Sequence, residues 1–160
     1  ELEKKLNLKI TVLGRKVVID GTAMNEYEGG IVLEALGFGF SLKQALLLKN
    51  EDFIFKKINM KEFTRRKNMY EVRARAIGSE GKTKRTLESV SDSDIIINGN
   101  EIGAIAHADN IDATVTAIQN IVRGSKQANV YNYLERMNAE RKKHPDDLGL
   151  KDEKHKDSNV

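Results

Sequence analysis

Two glycines lie three positions apart among basic side chains in the middle of the chain. The segment reads Ile77-Gly78-Ser79-Glu80-Gly81-Lys82-Thr83. Glycine lets a backbone approach a ligand closely, and the free amides at the start of a helix attract phosphate groups. The pattern therefore leaves three alternatives open: a nucleotide-binding P-loop, a purely structural turn into a helix, or a loop that contacts the backbone of RNA.

The P-loop alternative fails on spacing. A P-loop has a glycine five positions before its Gly-Lys-Thr sequence, and Ala76 occupies that position here. The loop is too short to wrap a triphosphate, and no Walker-B strand is recognisable after it. A structural turn stays open, because a Gly-x-x-Gly sequence alone is common.

The distribution of charge favours the RNA alternative. The whole chain has a formal charge of +3, but residues 56–90 contain eleven Lys and Arg against four Glu. This basic belt carries +7, so the rest of the chain carries −4. Such a belt is typical of phosphate contacts, although a solvated Lys-rich surface has the same composition.

The candidate RNA-binding residues combine the loop, its basic neighbours and an aliphatic groove floor. They are Arg73, Arg75, Ile77, Gly78, Ser79, Glu80, Gly81, Lys82, Thr83, Lys84, Arg85, Ile95 and Ile97. The basic side chains would neutralise phosphates, and the isoleucines would lie under the bases. Glu80 weakens this contact unless it points outward. The aromatic content of 6% and the absence of Trp argue against a reader that stacks bases on an aromatic platform. Replacing Gly78 and Gly81 with Asp is expected to abolish RNA binding and to leave the fold nearly intact.

Hydrophobic periodicity predicts the elements that position this loop. In order, they are a strand over 69–76, a helix over 82–90, a strand over 94–98, a tight turn at Asn98-Gly99-Asn100, a strand over 101–106, a helix from a cap at Asp109 or Asn110 to Gly124, and a helix over 128–143. Asn and Gly tolerate the positive φ of a hairpin turn, and a glycine commonly ends a helix.

The chain also aligns with itself at an offset of 85 residues. Ile10 falls on Ile95, Gly14 on Gly99 and Gly39 on Gly124, which predicts two copies of one α+β module. The first copy is predicted to contain a short helix over 1–7, strands over 8–13 and 16–19, and helices over 25–36 and 41–49. By the offset, its opening strand and glycine loop are absent from this chain, and Glu1 in place of Met is interpreted as the trace of a missing piece.

A resemblance to a known family becomes specific at this point. Residues 75–85, followed by 94–97, 121–125 and Val130-Tyr131, resemble the second KH module of a family of archaeal and eukaryotic small-subunit ribosome-assembly factors, and residues 37–41 and 43–46 resemble the end of its first module. The resemblance implies two tandem type I KH folds, each a three-stranded sheet packed by helices. It also implies binding to single-stranded small-subunit rRNA near its 3′ end, a role in rRNA processing, and contacts with the rRNA 3′-end maturation endonuclease and a translation initiation factor subunit. The compact length is similar to that of archaeal members.

These patterns divide the chain into five predicted segments. They are an incomplete first KH module over 1–50, a connecting strand (53–60) and basic linker within 51–68, a second KH module over 69–125, a C-terminal helix over 126–144, and a disordered tail over 145–160.

Composition excludes several other classes. The chain has no Cys, so no disulfide or thiolate metal site forms, and no apolar run approaches 18 residues. His107, His144 and His155 lack metal-ligand or catalytic spacing, which predicts a non-enzyme without cofactor or metal. The lack of a long apolar run predicts a soluble, cytoplasmic protein. The alternative function is a KH-fold protein-interaction scaffold without direct RNA contact, with Val130, Leu134 and Met137 docking a partner.

Overall fold

The structure is a computed structural model of the 160-residue chain that describes residues 1–143. The tail predicted over 145–160 therefore lies outside the described residues. The helices are α1 Leu2–Leu6, α2 Ala23–Phe38, α3 Leu42–Ala45, α4 Met60–Phe63, α5 Met69–Ile77, α6 Lys82–Ser91, α7 Ala108–Arg123 and α8 Gln127–Lys143. The strands are β1 Lys9–Leu13, β2 Lys16–Asp20, β3 Phe53–Asn59, β4 Ser93–Asn98 and β5 Glu101–His107.

The second half of the chain is built on a three-stranded antiparallel sheet of order β3-β5-β4. β4 and β5 form the predicted hairpin, in which Asn98 pairs with Glu101 across a two-residue turn. Gly99 has a φ of +60° in that turn, the conformation for which glycine is favoured. The expected α+β class, with a three-stranded sheet packed by helices, is confirmed.

Alternating residues of the sheet face the helices and form the main core. Ile58, Ile95 and Ile102 are buried on this face. They pack with buried side chains of α5 to α8, namely Val72, Ala76, Leu87, Ile118, Ile121 and Leu134. Full burial of each large aliphatic side chain stabilises the fold by about 1.5–3 kcal/mol, so this layer fixes α5 and α6 on the sheet.

The opposite face of the same sheet is covered by the first half of the chain. The rings of Phe38 and Phe40 pack edge-on against Phe55 of β3, with centroids 5.8 and 5.6 Å apart. Lys57 in β3 pairs with Glu34 in α2 at 2.6 Å, and this hydrogen bond raises the pKa of the Lys57 ammonium above its ordinary value. The two halves therefore share one packed interface across the sheet.

The internal repeat predicted from the sequence is visible in the element bounds. α2 (Ala23–Phe38) and α7 (Ala108–Arg123) are both 16-residue helices, and the offset of 85 places one on the other. Gly39 and Gly124 end these helices with positive φ. The first copy contributes the two-stranded sheet β1-β2. How the chain divides into modules stays a prediction.

Two predictions for the second half are wrong. Residues 69–76 form helix α5 rather than a strand, because Val72 and Ala76 are buried at helical spacing and the Asn68 side chain accepts a hydrogen bond from the Tyr70 amide at 3.1 Å. The cap of α7 is His107 rather than Asp109 or Asn110, since the His107 Nδ1 accepts from the Asp109 amide at 3.2 Å.

The strand over 53–60 has a larger role than a connection. β3 pairs with β5 along its whole length, from Phe53 opposite His107 to Asn59 opposite Glu101. Apart from the four-residue helix α4 that directly follows β3, the element order around the glycine loop is β-α-α-β-β-α, with β3 as its first member. No helix among residues 1–143 is long and apolar enough to cross a membrane.

Candidate RNA interface

The glycine loop (residues 78–81) joins α5 to α6 by a turn in which three of the four residues have a positive φ. Gly78, Glu80 and Gly81 have φ values of +76°, +53° and +74°. The Gly78 amide donates to the Ala74 carbonyl at 2.8 Å, and the Gly81 amide donates to the Gly78 carbonyl at 3.2 Å. These bonds fix the loop as a tight, defined turn rather than a loose connection.

Gly78 packs directly on Thr83 at the start of α6. A Cβ atom at Gly78 would lie 2.7 Å from the Thr83 amide nitrogen and 2.8 Å from its Cβ. Thr83 is only 3% exposed, and its Oγ1 accepts a hydrogen bond from Gln127 Nε2 at 2.8 Å. The sequence pattern predicts Thr83 as an RNA contact, and its position instead ties the loop to α8.

The outer surface of the loop is open to solvent. Ser79, Glu80, Lys82 and Arg85 are exposed, and the Glu80 carboxylate therefore has free access to water. Among residues 1–143, no side chain caps the start of α6, so the amides of its first turn have no side-chain acceptor there. The Lys82 amide donates to the Ser79 carbonyl, but the later amides of the first turn, the positive end of a ten-residue helix and the cations Lys82 and Arg85 together suit an anion.

The other basic candidates are engaged within the protein to different degrees. Arg73 Nη1 donates to Asn100 Oδ1 at 2.8 Å, and Lys84 Nζ lies 2.9 Å from Glu88 Oε1. Arg75 Nη2 donates to the carbonyls of Gly124 and Ser125 at 2.7 and 2.9 Å. Arg75 thus binds the carbonyls that follow the end of α7, a distant contact that the sequence pattern did not indicate.

A very small apolar cavity of about 10 Å³ lies among side chains of α5, α6, α7 and the sheet. Lys84 and Ile97 line it on one side, and the rest of its lining is buried core: Ala76, Leu87, Ile95, Ile102, Ile118 and Ile121. Ile97 is half-buried and Ile77 is 38% exposed, so both can touch a ligand. Ile95 is only 2% exposed, which makes it part of the core floor rather than an open contact.

Glu88 is a site residue that sequence reasoning missed. Its Oε1 accepts from the Ile95 amide at 2.8 Å as well as pairing with Lys84. This one carboxylate therefore joins the edge of β4 to α6 and also holds the Lys84 ammonium. Only the i, i+4 spacing of Lys84 and Glu88 could have indicated the pair.

Within the described 143 residues, no group of three or more His, Asp or Glu side chains could hold a metal ion. The candidate site consists of the glycine loop, its exposed cations and the accessible side chains of Ile77 and Ile97. Such an arrangement can hold a phosphodiester backbone and the flat faces of bases.

Comparison with known proteins agrees with this geometry. Residues 54–139 match the family described as the second KH domain of PNO1, a eukaryotic type KH-domain (KH-domain type I). A KH domain-containing protein of Methanocaldococcus jannaschii is 25% identical over 142 residues, which is 84% of this chain and 63% of that protein. The RNA-binding protein pno1 of Drosophila pseudoobscura pseudoobscura is 30% identical over 113 residues, or 69% of this chain and 48% of that protein.

Solved structures give the same result. Dim2p from Pyrococcus horikoshii OT3 is 30% identical, with a TM-score of 0.76 over 84% of each chain. Dim2p was also solved in an a/eIF2alpha-aDim2p-rRNA complex from the same organism, where the match has a TM-score of 0.78 at 29% identity and covers 87% of this chain and 81% of that one.

The fold and the loop define a type I KH protein, since the β-α-α-β-β-α order carries its Gly-x-x-Gly turn between the two helices. The chain belongs to the PNO1/Dim2 family of KH-domain ribosome-assembly factors. It spans less than two thirds of the length of the curated relatives.

The contacts of Arg75 give a first prediction. Arg75→Ala is expected to lower the free energy of unfolding by about 2 kcal/mol, because the variant cannot make the charged hydrogen bonds to two helix-end carbonyls. Arg85→Ala, which removes an exposed cation of the same type, is expected to change it by less than about 0.5 kcal/mol. Urea denaturation of both variants measures the difference, and equal stabilities would contradict the structural role of Arg75.

Proposed function

We propose that this chain binds single-stranded small-subunit rRNA near its 3′ end and assists the maturation of that end. The observation that carries the proposal is the exposed glycine loop, which precedes the uncapped helix α6 and is flanked by Lys82 and Arg85. The chain also belongs to a family whose Dim2p was solved with rRNA. The remaining candidate residues position the loop or support the side chains that contact the RNA.

In this proposal the RNA backbone crosses the loop and the bases turn toward Ile77 and Ile97. The amides at the start of α6 hold a phosphate, and Lys82 and Arg85 neutralise its neighbours. Ile77 and Ile97 contact base faces, while Glu80 points to solvent. A KH loop clamps about four nucleotides, which sets the size of the RNA segment held here.

The proposed partners follow from the family. A translation initiation factor subunit is proposed by analogy with the a/eIF2alpha-aDim2p-rRNA complex. The rRNA 3′-end maturation endonuclease is the proposed source of catalysis, so this chain would position RNA and cut nothing itself. The tandem arrangement, with residues 1–50 as an incomplete first KH module, and a cytoplasmic location complete the proposal.

Charge reversal on the loop surface tests RNA binding. Ser79→Asp combined with Lys82→Glu makes the exposed loop surface more negative by three charges, and it is expected to weaken binding of an eight-nucleotide archaeal 3′-terminal small-subunit rRNA sequence by at least about tenfold. Fluorescence anisotropy at several salt concentrations gives both the affinity and its salt dependence. The log-log salt slope is expected to fall by about 0.7 for each phosphate that the variant no longer neutralises.

The matched control reverses charges elsewhere. Arg15→Glu with Lys16→Glu changes the exposed tip of the β1-β2 hairpin by a larger charge and is expected to keep near-parental affinity. An equal weakening in both double variants would show a non-specific charge effect and would overturn the assignment of the loop. An unchanged affinity after reversal on the loop, or binding that does not depend on salt, would overturn the proposal and favour a protein-interaction scaffold.

A further inference from the structure

Tyr70 is a large aromatic side chain exposed on the first turn of α5. It is 72% exposed, more than any other large hydrophobic side chain among residues 1–143. Asn68 caps the helix through the Tyr70 amide, so the backbone beneath this ring is well fixed. An exposed aromatic ring on a rigid helix presents a flat apolar face at low entropic cost.

The ring lies on the same helix face as the edge of the glycine loop. Tyr70, Ala74 and Ile77 are spaced i, i+4, i+7, and all three are exposed. Seven residues of α-helix span about 10 Å. An exposed stripe therefore leads along α5 from Ile77, which directly precedes Gly78, to Tyr70 at the other end of the helix.

The Tyr70 end of this stripe is basic. The segment 61–73 contains Lys61, Arg65, Arg66, Lys67 and Arg73 against Glu62 and Glu71. Arg66 and Glu71 form an exposed pair at 3.4 Å, and such pairs contribute little. Arg65 and Lys67 are exposed. Part of the basic belt is therefore not explained by contacts at the glycine loop.

Asn100 ties the two ends of this basic segment to the β4-β5 turn. Its side chain accepts from Arg73 on α5, and its carbonyl accepts from the Met60 amide at 2.8 Å. The start of α4, the middle of α5 and the β4-β5 turn therefore meet at one residue. An RNA strand that leaves the glycine loop along α5 would pass Arg73 and reach Tyr70.

We propose that Tyr70 stacks on a base of the RNA strand beyond the four nucleotides held by the glycine loop, while Arg65 and Lys67 contact its phosphates. The inference rests on the proposed function and extends its site along α5. Stacking on an aromatic face is tolerant of base identity, so this contact adds affinity and length rather than sequence preference. An acidic protein surface would meet the same cations but would not require the exposed ring.

The test compares two lengths of RNA. With the eight-nucleotide 3′-terminal sequence, Tyr70→Ala is expected to bind at least about fivefold more weakly than the parent, the lower bound for removal of one stacked base. With a four-nucleotide piece that fills only the loop, the same variant is expected to bind like the parent. Tyr70→Phe keeps the ring and is expected to stay within about twofold on both RNAs.

A fluorescent variant provides a direct readout of stacking. The chain has no Trp, so Tyr70→Trp introduces a single indole at this position. Its emission is expected to be quenched by the eight-nucleotide RNA and unchanged by the four-nucleotide RNA. Thermal unfolding of each variant verifies that the exposed substitutions leave the fold intact.

The outcomes separate the two proposals. Parental binding of both RNAs together with an unaffected Tyr70→Ala overturns the stacking contact and leaves the proposed function standing. A weakening in Tyr70→Phe equal to that in Tyr70→Ala also overturns stacking, because the hydroxyl and not the ring would then matter. If the parent binds neither RNA, the proposed function fails and the stacking contact fails with it.

Discussion

Replacing Gly78 with alanine is expected to lower the free energy of unfolding by about 3 kcal/mol or more, whereas Gly81→Ala is expected to cost about 1 kcal/mol. Gly78 has φ +76° and ψ 173°, a region that only glycine visits freely, at a cost of about 1–3 kcal/mol for other residues. Its new Cβ would also overlap the Thr83 backbone, with only 2.7 Å to the amide nitrogen. Overpacking of this kind costs about 1–3 kcal/mol more.

Gly81 is the matched control because it lies in the same loop, but a Cβ atom there would not overlap the backbone of a neighbouring residue. Its φ of +74° and ψ of 14° are those of the left-handed region, which costs roughly 1–2 kcal/mol for alanine. The nearest atom to its new Cβ is the Arg85 Nη1 at 3.4 Å, the end of a flexible side chain. Urea denaturation of both variants measures the difference, and an equal destabilisation at the two glycines would contradict this account.

The difference between the glycines changes how RNA binding is tested. The sequence pattern treats Gly78 and Gly81 as equivalent and predicts that aspartate at both leaves the fold nearly intact. The geometry of Gly78 argues against this, because any side chain there must displace Thr83 and its bond to Gln127. Charge reversal at the exposed Ser79 and Lys82 avoids that distortion, which is why those positions carry the test of the proposed function.

Features coded by local sequence were predictable. The β4-β5 turn carries Asn98-Gly99, the helix ending at Gly124 carries a regular apolar stripe, and each signal is complete within a few residues. The internal repeat was equally visible, since its element bounds follow the offset of 85. The glycine loop was predictable for the same reason, because its four residues are consecutive in the sequence.

Features that depend on distant contacts were not predictable. The alternation of Tyr70, Val72, Ala74 and Ala76 fits a strand, and only burial of Val72 and Ala76 against α6 and α7 selects the helix. The sequence pattern predicts Arg75 as an RNA contact. Its observed partner, the carbonyl of Gly124 at the end of α7, lies 49 residues away in the sequence. The low aromatic content similarly concealed that Tyr70 is left uncovered beside the basic segment.

The interface between the two halves depends on one glycine of the central strand. Gly103 in β5 is buried on the sheet face that meets the first half of the chain. A Cβ atom there would lie 2.6 and 2.8 Å from two atoms of the Phe38 ring and 3.1 Å from Phe40. Both rings are buried and pack against Phe55, so neither can move aside freely.

Gly103→Ala is therefore expected to lower the free energy of unfolding by about 3 kcal/mol, the upper part of the range for overpacking. Urea denaturation measures the change. The offset of 85 supplies a control: Val18 occupies the equivalent position of the first copy, where it is exposed, and Val18→Ala is expected to cost less than about 1 kcal/mol. Combining Gly103→Ala with Phe38→Leu makes room for the methyl group, so the double variant is expected to be more stable than the sum of its single changes. Strict additivity of the two substitutions would contradict a direct contact and would place the cost of Gly103→Ala in the strand itself.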